Sequence, residues 1–133
     1  MDPSGNLYGT TQHGGTFSYS AGTVFEVSSD GKEHVLHKFH PYTKDGYYPL
    51  NAVVKDAAGN IYGTTDDGGA YNEGVVYEIT TDGKEKILHT FCGGDCSDGA
   101  NPNDLIIDAK GNLYGTTYGD GTTGNGVIFM ITP

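Results

Sequence analysis

Two cysteines, in Cys92-Gly93-Gly94-Asp95-Cys96, are the only thiols of this 133-residue chain. A Gly-containing loop of that length can close a small disulfide, which the chain-entropy relation values at about 2 kcal/mol before strain. Paired thiols point to an oxidising compartment. A zinc centre needs four ligands, and no second Cys/His pair is spaced to complete one, so no metal site is expected here. The acidic run Asp95–Asp104 offers carboxylates and carbonyls of the kind calcium takes, without the EF-hand spacing or its closing glutamate. The letters of Gly119-Asp120-Gly121-Thr122-Thr123-Gly124 fit G-x-G-x-x-G, but that fingerprint works only between a parallel strand and a helix, and a strand follows here.

Tyrosines with acidic neighbours are the second chemical feature. Tyr19, Tyr47, Tyr48, Tyr71, Tyr118, Asp66 and Asp67 all fall in long connections between apolar segments. An exposed ring stacks on the apolar face of a sugar while carboxylates and amides take its hydroxyls, so these seven residues are the candidate ligand-binding set. His37 and His89 occupy equivalent places, each two residues before a phenylalanine, which suggests a packing role. Glu26 and Glu78 are equivalent as well, and a surface or inter-unit role is expected of them ahead of a glycosidase-type carboxylate pair. No catalytic residue and no cofactor is assigned.

The elements that must position these groups are set by a repeat. Gly5-Asn6-Leu7-Tyr8-Gly9-Thr10-Thr11 returns at Gly59–Thr65, with Ile61 for leucine, and again at Gly111–Thr117. A period near fifty residues points to a propeller-like array. Four strand-like segments recur in order. Segment B is Asn6–Thr11, Asn60–Thr65 and Asn112–Thr117; segment C is Gly22–Val27, Gly74–Ile79 and Gly126–Ile131. Segment D is Glu33–Phe39 and Glu85–Phe91; segment A is Ala52–Val54 and Leu105–Ile107. Apolar residues on both faces of C and D require cover on both sides, as in blades packed between neighbours.

The fold class expected is therefore all-β: a propeller-like array of four-stranded antiparallel blades, about two and a half repeats of ~52 residues. Residues 1–133 form one array, with units at 2–55, 56–107 and, in part, 108–133. Segment A is expected to be the short innermost strand. The order B-C-D, A-B-C-D, A-B-C leaves strand edges open at both ends. That predicts a partial propeller, either a stretch of a longer array or a homo-oligomer whose copies close a ring or filament. Asp-Gly hairpins and the Asp56–Gly59 and Asp108–Gly111 turns belong at one end of the strands, and every long loop at the other.

Seven lysines, no arginine and 17 acidic residues give a net charge of −10. Such a chain repels phosphates, so nucleic acid is excluded as a partner, and a glycan or another protein is expected. No apolar run reaches the ~18 residues of a membrane span, and the first residues have no signal-peptide pattern.

The runs Asp108–Thr117, Gly22–Val27 and Asp98-Gly99-Ala100-Asn101-Pro102 resemble the Gloeo/Verruco tandem repeat across nearly the whole chain. The resemblance implies a bacterial secreted or surface-anchored protein, hence an extracellular or cell-surface location, and carries no catalytic residues with it. The reading is of a non-enzymatic binding or surface-structural module with a carbohydrate-binding loop face. A self-assembling subunit and a polysaccharide lyase or hydrolase using Asp66, Asp67 and Glu78 are the alternatives.

Overall fold

The computed structural model describes residues 1–15, 21–41 and 43–133, and among them it is all strand, turn and loop. β1 (Leu7–Thr11), β2 (Thr23–Val27) and β3 (Glu33–Lys38) form the first sheet in that order. The second is β5 (Val54–Lys55), β6 (Ile61–Thr65), β8 (Val75–Ile79) and β9 (Glu85–Thr90). The third is β10 (Ala100–Ile107), β11 (Leu113–Gly119) and β12 (Ile128–Ile131). Every pairing is antiparallel. The expected order B-C-D, A-B-C-D, A-B-C is the observed one.

The sheets stack face to face, and the side-chain alternation sorts the core into two layers. Val24, Leu36 and Phe39 of the first sheet meet Ile61, Val75, Tyr77 and Ile79 of the second. The other face of the second sheet, with Tyr62, Val76, Leu88 and Phe91, meets Leu105, Leu113, Phe129 and Ile131 of the third. Phe39 meets Tyr77 edge-on at 5.1 Å, and Phe91 meets Phe129 the same way at 5.1 Å, so one contact is built twice. Every residue of β6 and β8 is buried because the middle sheet is covered on both sides, whereas β1 and β12 are half exposed.

Two details explain recurring glycines. Tyr77 lies across Gly63 on the neighbouring strand, where a Cβ would overlap the ring. Gly74 enters β8 at φ +89°, and a Cβ there would collide with the Thr65 carbonyl and the Pro102 ring.

Segment A differs from expectation. With units counted by sheet, so that each takes the A strand paired with its own B strand, segment A is only Val54–Lys55 in the second unit and runs eight residues from Ala100 in the third. A further two-stranded pairing, β4 (Gly46–Tyr47) with β7 (Asp67–Gly68), joins the D–A loop of the first unit to the B–C loop of the second. In the third unit β10 and β11 absorb this extension through a register shift between Pro102 and Leu105.

Candidate functional site

The two ends of the sheets are built differently. At the tight-turn end, one aspartate per unit gathers its own turn. Asp56 accepts hydrogen bonds from the Asn60 amide N–H (2.8 Å), Asn60 Nδ2 (2.9 Å) and the Tyr62 hydroxyl (3.0 Å). Asp108 does the same with Asn112 and Tyr114, and Asp2 with Asn6 and Tyr8. The asparagine then accepts from the C–D turn: Ser29 N–H to Asn6, Thr81 N–H to Asn60, the Thr132 hydroxyl to Asn112. The Asn and Tyr of the repeat are thus accounted for as a turn lock. Burial pushes the Asp56 carboxyl up, but the bonds from Asn60, Tyr62 and Gly59 outweigh it and hold it below the ordinary carboxylate value.

Lys55 adds a cross-unit contact at this end. Its Nζ donates to the Tyr8 hydroxyl (2.7 Å) and to Asp2 (3.0 Å), and sits 4.3 Å from the Tyr8 ring centre. A cleft lined by Asp2, Tyr8, Val53, Lys55, Asp56 and Ile107 opens beside it. The repeat could not announce this, because the equivalent position in the third unit is Ile107. Glu78, equivalent to Glu26, is buried and held by Lys86 at 3.0 Å with the Tyr62 hydroxyl at 3.5 Å.

Along the inner edge, threonines and asparagines form a chain of bonds across all three units. The Thr10 hydroxyl donates to the Asn51 carbonyl (3.0 Å), and Asn51 Nδ2 to Thr64 Oγ1 (3.1 Å). Thr64 Oγ1 donates to the Asn103 carbonyl (3.0 Å), and Asn103 Nδ2 to Thr116 Oγ1 (3.3 Å).

The long loops share the opposite end, since β4 and β7 belong to connections of different types and pair there. That end brings four of the candidate residues together. Tyr47 and Tyr48 meet edge-on at 4.9 Å, with His13 against Tyr48 at 5.3 Å. Asp67 pairs with Tyr47 in the β4–β7 ladder, and the Asp66 amide donates to the Tyr48 carbonyl. The Tyr47 hydroxyl donates to Asn72 (2.6 Å). Burial raises the carboxyl pKa of Asp66, and burial plus the charge of Asp66 raises that of Asp67. Tyr71 stands apart over Gly93, beside the Cys92–Cys96 disulfide, and is 54 % exposed. Tyr118 is 81 % exposed at the end of β11. Tyr19 lies outside the described residues.

A third cluster lies between the first two units. His37 Nε2 is 3.6 Å from Asp45 Oδ2 and 3.6 Å from Glu85 Oε1, the latter at the start of β9 in the next unit. His37 also packs edge-on against Phe39 at 4.7 Å, the packing role expected of it. The repeat-equivalent pair, His89 and Asp98, is joined directly at 2.9 Å. Burial, with Asp45 beside it, pushes the Glu85 carboxyl up to about 9, while the neighbouring His37 and Glu85 side chains and the His40 N–H outweigh burial to hold Asp45 low. The spacing of His37 to Glu85 across two units hid this group from a repeat-by-repeat reading.

Stacked antiparallel sheets repeated in fixed order, tight turns at one end and long loops at the other, define a propeller-type blade array. The chain belongs to the Gloeobacter/Verrucomicrobia repeat family, whose pattern matches residues 1–133. Among solved structures it is similar to an X-ray structure provisionally described as a gluconolactonase, with TM-score 0.54 and 19 % identity, over 98 % of this chain and 46 % of that one. The chain therefore spans about half the length of the structure it matches, and the likeness is one of fold. No curated protein matches it.

Proposed function

We propose that this chain is a non-enzymatic, extracellular assembly and recognition module, which extends by stacking further units of its own kind and turns its long-loop end to a partner. The observation that carries the reading is a pair of uncovered faces. Leu7 occupies in the first unit the place that Ile61 holds in the second, and it is 51 % exposed where Ile61 is 4 % exposed. Ile106, Ile128 and Met130 of the third unit sit where Val54, Val76 and Glu78 sit in the second, and are 68 %, 84 % and 59 % exposed. The two faces are the separated halves of an interface the molecule already contains, so they are complementary head to tail. The free edges of β1 and β12 point the same way. The disulfide suits an oxidising exterior. Glu78, engaged by Lys86 and Tyr62, suits a structural job better than acid–base work. Native mass measurement at micromolar concentration tests this: species above the 14.0 kDa chain are expected, and Ile128→Glu should abolish them. A monomer alone would overturn self-assembly.

A second reading concerns the partner. Tyr71 and Tyr118, exposed on the long-loop side, and the Tyr47–Tyr48–Asp67 group are suited to a neutral glycan. Glycan-array binding is expected to fall when Tyr71→Ala and Tyr118→Ala are combined, and binding that survives both would count against it.

A further inference from the structure

Four buried side-chain atoms lack partners among the described residues: one is the Tyr77 hydroxyl, in the core layer between the first two sheets, and the other three stand together at the junction of the first and second units. His37 Nε2, Asp45 Oδ1 and Glu85 Oε1 are each sealed from solvent without a hydrogen bond. The side chains that carry them are only 15 %, 11 % and 16 % exposed. Buried polar atoms of native proteins are nearly always satisfied, so three orphans in one place call for a missing group. One ligand atom from each residue lies within 4.8 Å of the other two.

A proton shared between the two carboxyls satisfies the oxygens and stops there. It leaves the imidazole nitrogen 3.6 Å from both acids, beyond hydrogen-bond reach. A divalent ion satisfies all three at once. With bonds of about 2.0–2.1 Å, tetrahedral donors stand about 3.3–3.4 Å apart, close to the 3.6 Å that separates His37 Nε2 from Glu85 Oε1 and from Asp45 Oδ2. The repeat supplies its own contrast. At the equivalent place in the next unit, His89 and Asp98 close directly at 2.9 Å, and the side chains are 38 % and 36 % exposed. The pair stands open only where a third donor enters from the neighbouring sheet.

We propose that His37, Asp45 and Glu85 form an inter-unit site for a divalent first-row transition ion of the zinc type. One imidazole and two carboxylates make a borderline donor set, which favours such an ion over calcium or magnesium. The His40 backbone N–H, donating to Asp45 Oδ2 at 3.0 Å, orients that carboxylate, and the edge-on Phe39 ring fixes the imidazole. A bound ion ties the end of β3 and the loop after it to the first residue of β9, clamping the two sheets at their outer edge. This departs from the expectation of no metal site, which looked for ligands within one loop. It does not depend on the assembly or glycan readings.

The test uses the whole chain with zinc(II), and cobalt(II) as a spectroscopic probe. One equivalent of zinc per chain should survive dialysis, raise the thermal midpoint, and be reversed by chelator. Cobalt should give visible absorption bands of a four-coordinate site. Glu85→Gln keeps a donor towards Asp45, so the fold should persist by circular dichroism while zinc uptake is lost. His37→Gln should lose it too, and His89→Gln should retain it. Zinc uptake unchanged in folded Glu85→Gln, no saturable uptake by the native chain, or calcium binding in place of zinc would each overturn the proposal.

Discussion

The two ends of the blades obey different rules. At the tight-turn end, three aspartates make the same bonds to the same asparagine and tyrosine in every unit. At the long-loop end the described side chains differ from unit to unit: the second carries Tyr47, Tyr48 and Asp67 across a short ladder, the third a disulfide loop and a bare Tyr118. Repetition here marks what the fold needs, and departure from it marks what is free to be specialised.

The largest break of this contrast should come from Asp56→Ala. Three acceptor bonds vanish and the Asn60 and Tyr62 donors lose their partner, so about 2–3 kcal/mol of stability is expected to go, read by denaturant unfolding. Acid should attack the same end. Asp56 and Asp108 are held below the ordinary carboxylate value, so their contribution is present above about pH 4 and is lost as pH falls through the lowered folded values. The thermal midpoint is expected to drop as pH goes from 5 to 3, with a shallower fall in Asp56→Ala. An equal fall in both would remove the turn lock as its cause.

Smaller effects belong to the loops. Replacing Cys92 and Cys96 together by serine should cost about 2 kcal/mol, measured against the oxidised chain. Tyr118→Ala, at an exposed ring with no hydrogen bond among the described residues, should stay within about 0.5 kcal/mol of the native chain. A Tyr118→Ala loss as large as that at Asp56 would erase the distinction between the ends.

Much of this was legible in residue order alone. Strands such as Val75–Ile79 advertise themselves by apolar groups alternating on both faces, and three copies of the motif fix their sequence. The β4–β7 ladder was not legible, because two-residue strands rich in glycine carry no periodicity. Segment A was blurred for a related reason: its extension from Ala100 includes a proline and a register shift, which break alternation. The candidate rim residues were named as one set, yet among the described ones only Tyr47, Tyr48, Asp66 and Asp67 converge, since convergence depends on a pairing no local pattern encodes. His37 read as a packing residue by its likeness to His89; its second acidic neighbour, Glu85, comes from another unit, where likeness gives no guide.

The inner chain of Thr10, Asn51, Thr64, Asn103 and Thr116 has a consequence for how the molecule comes apart. Asn51 spends its carbonyl on one unit and its amide on the next, so no unit can open without releasing bonds that its neighbours hold. Melting should therefore be a single concerted transition across the array, with no blade surviving as an island, and a calorimetric enthalpy equal to the van't Hoff value is its signature.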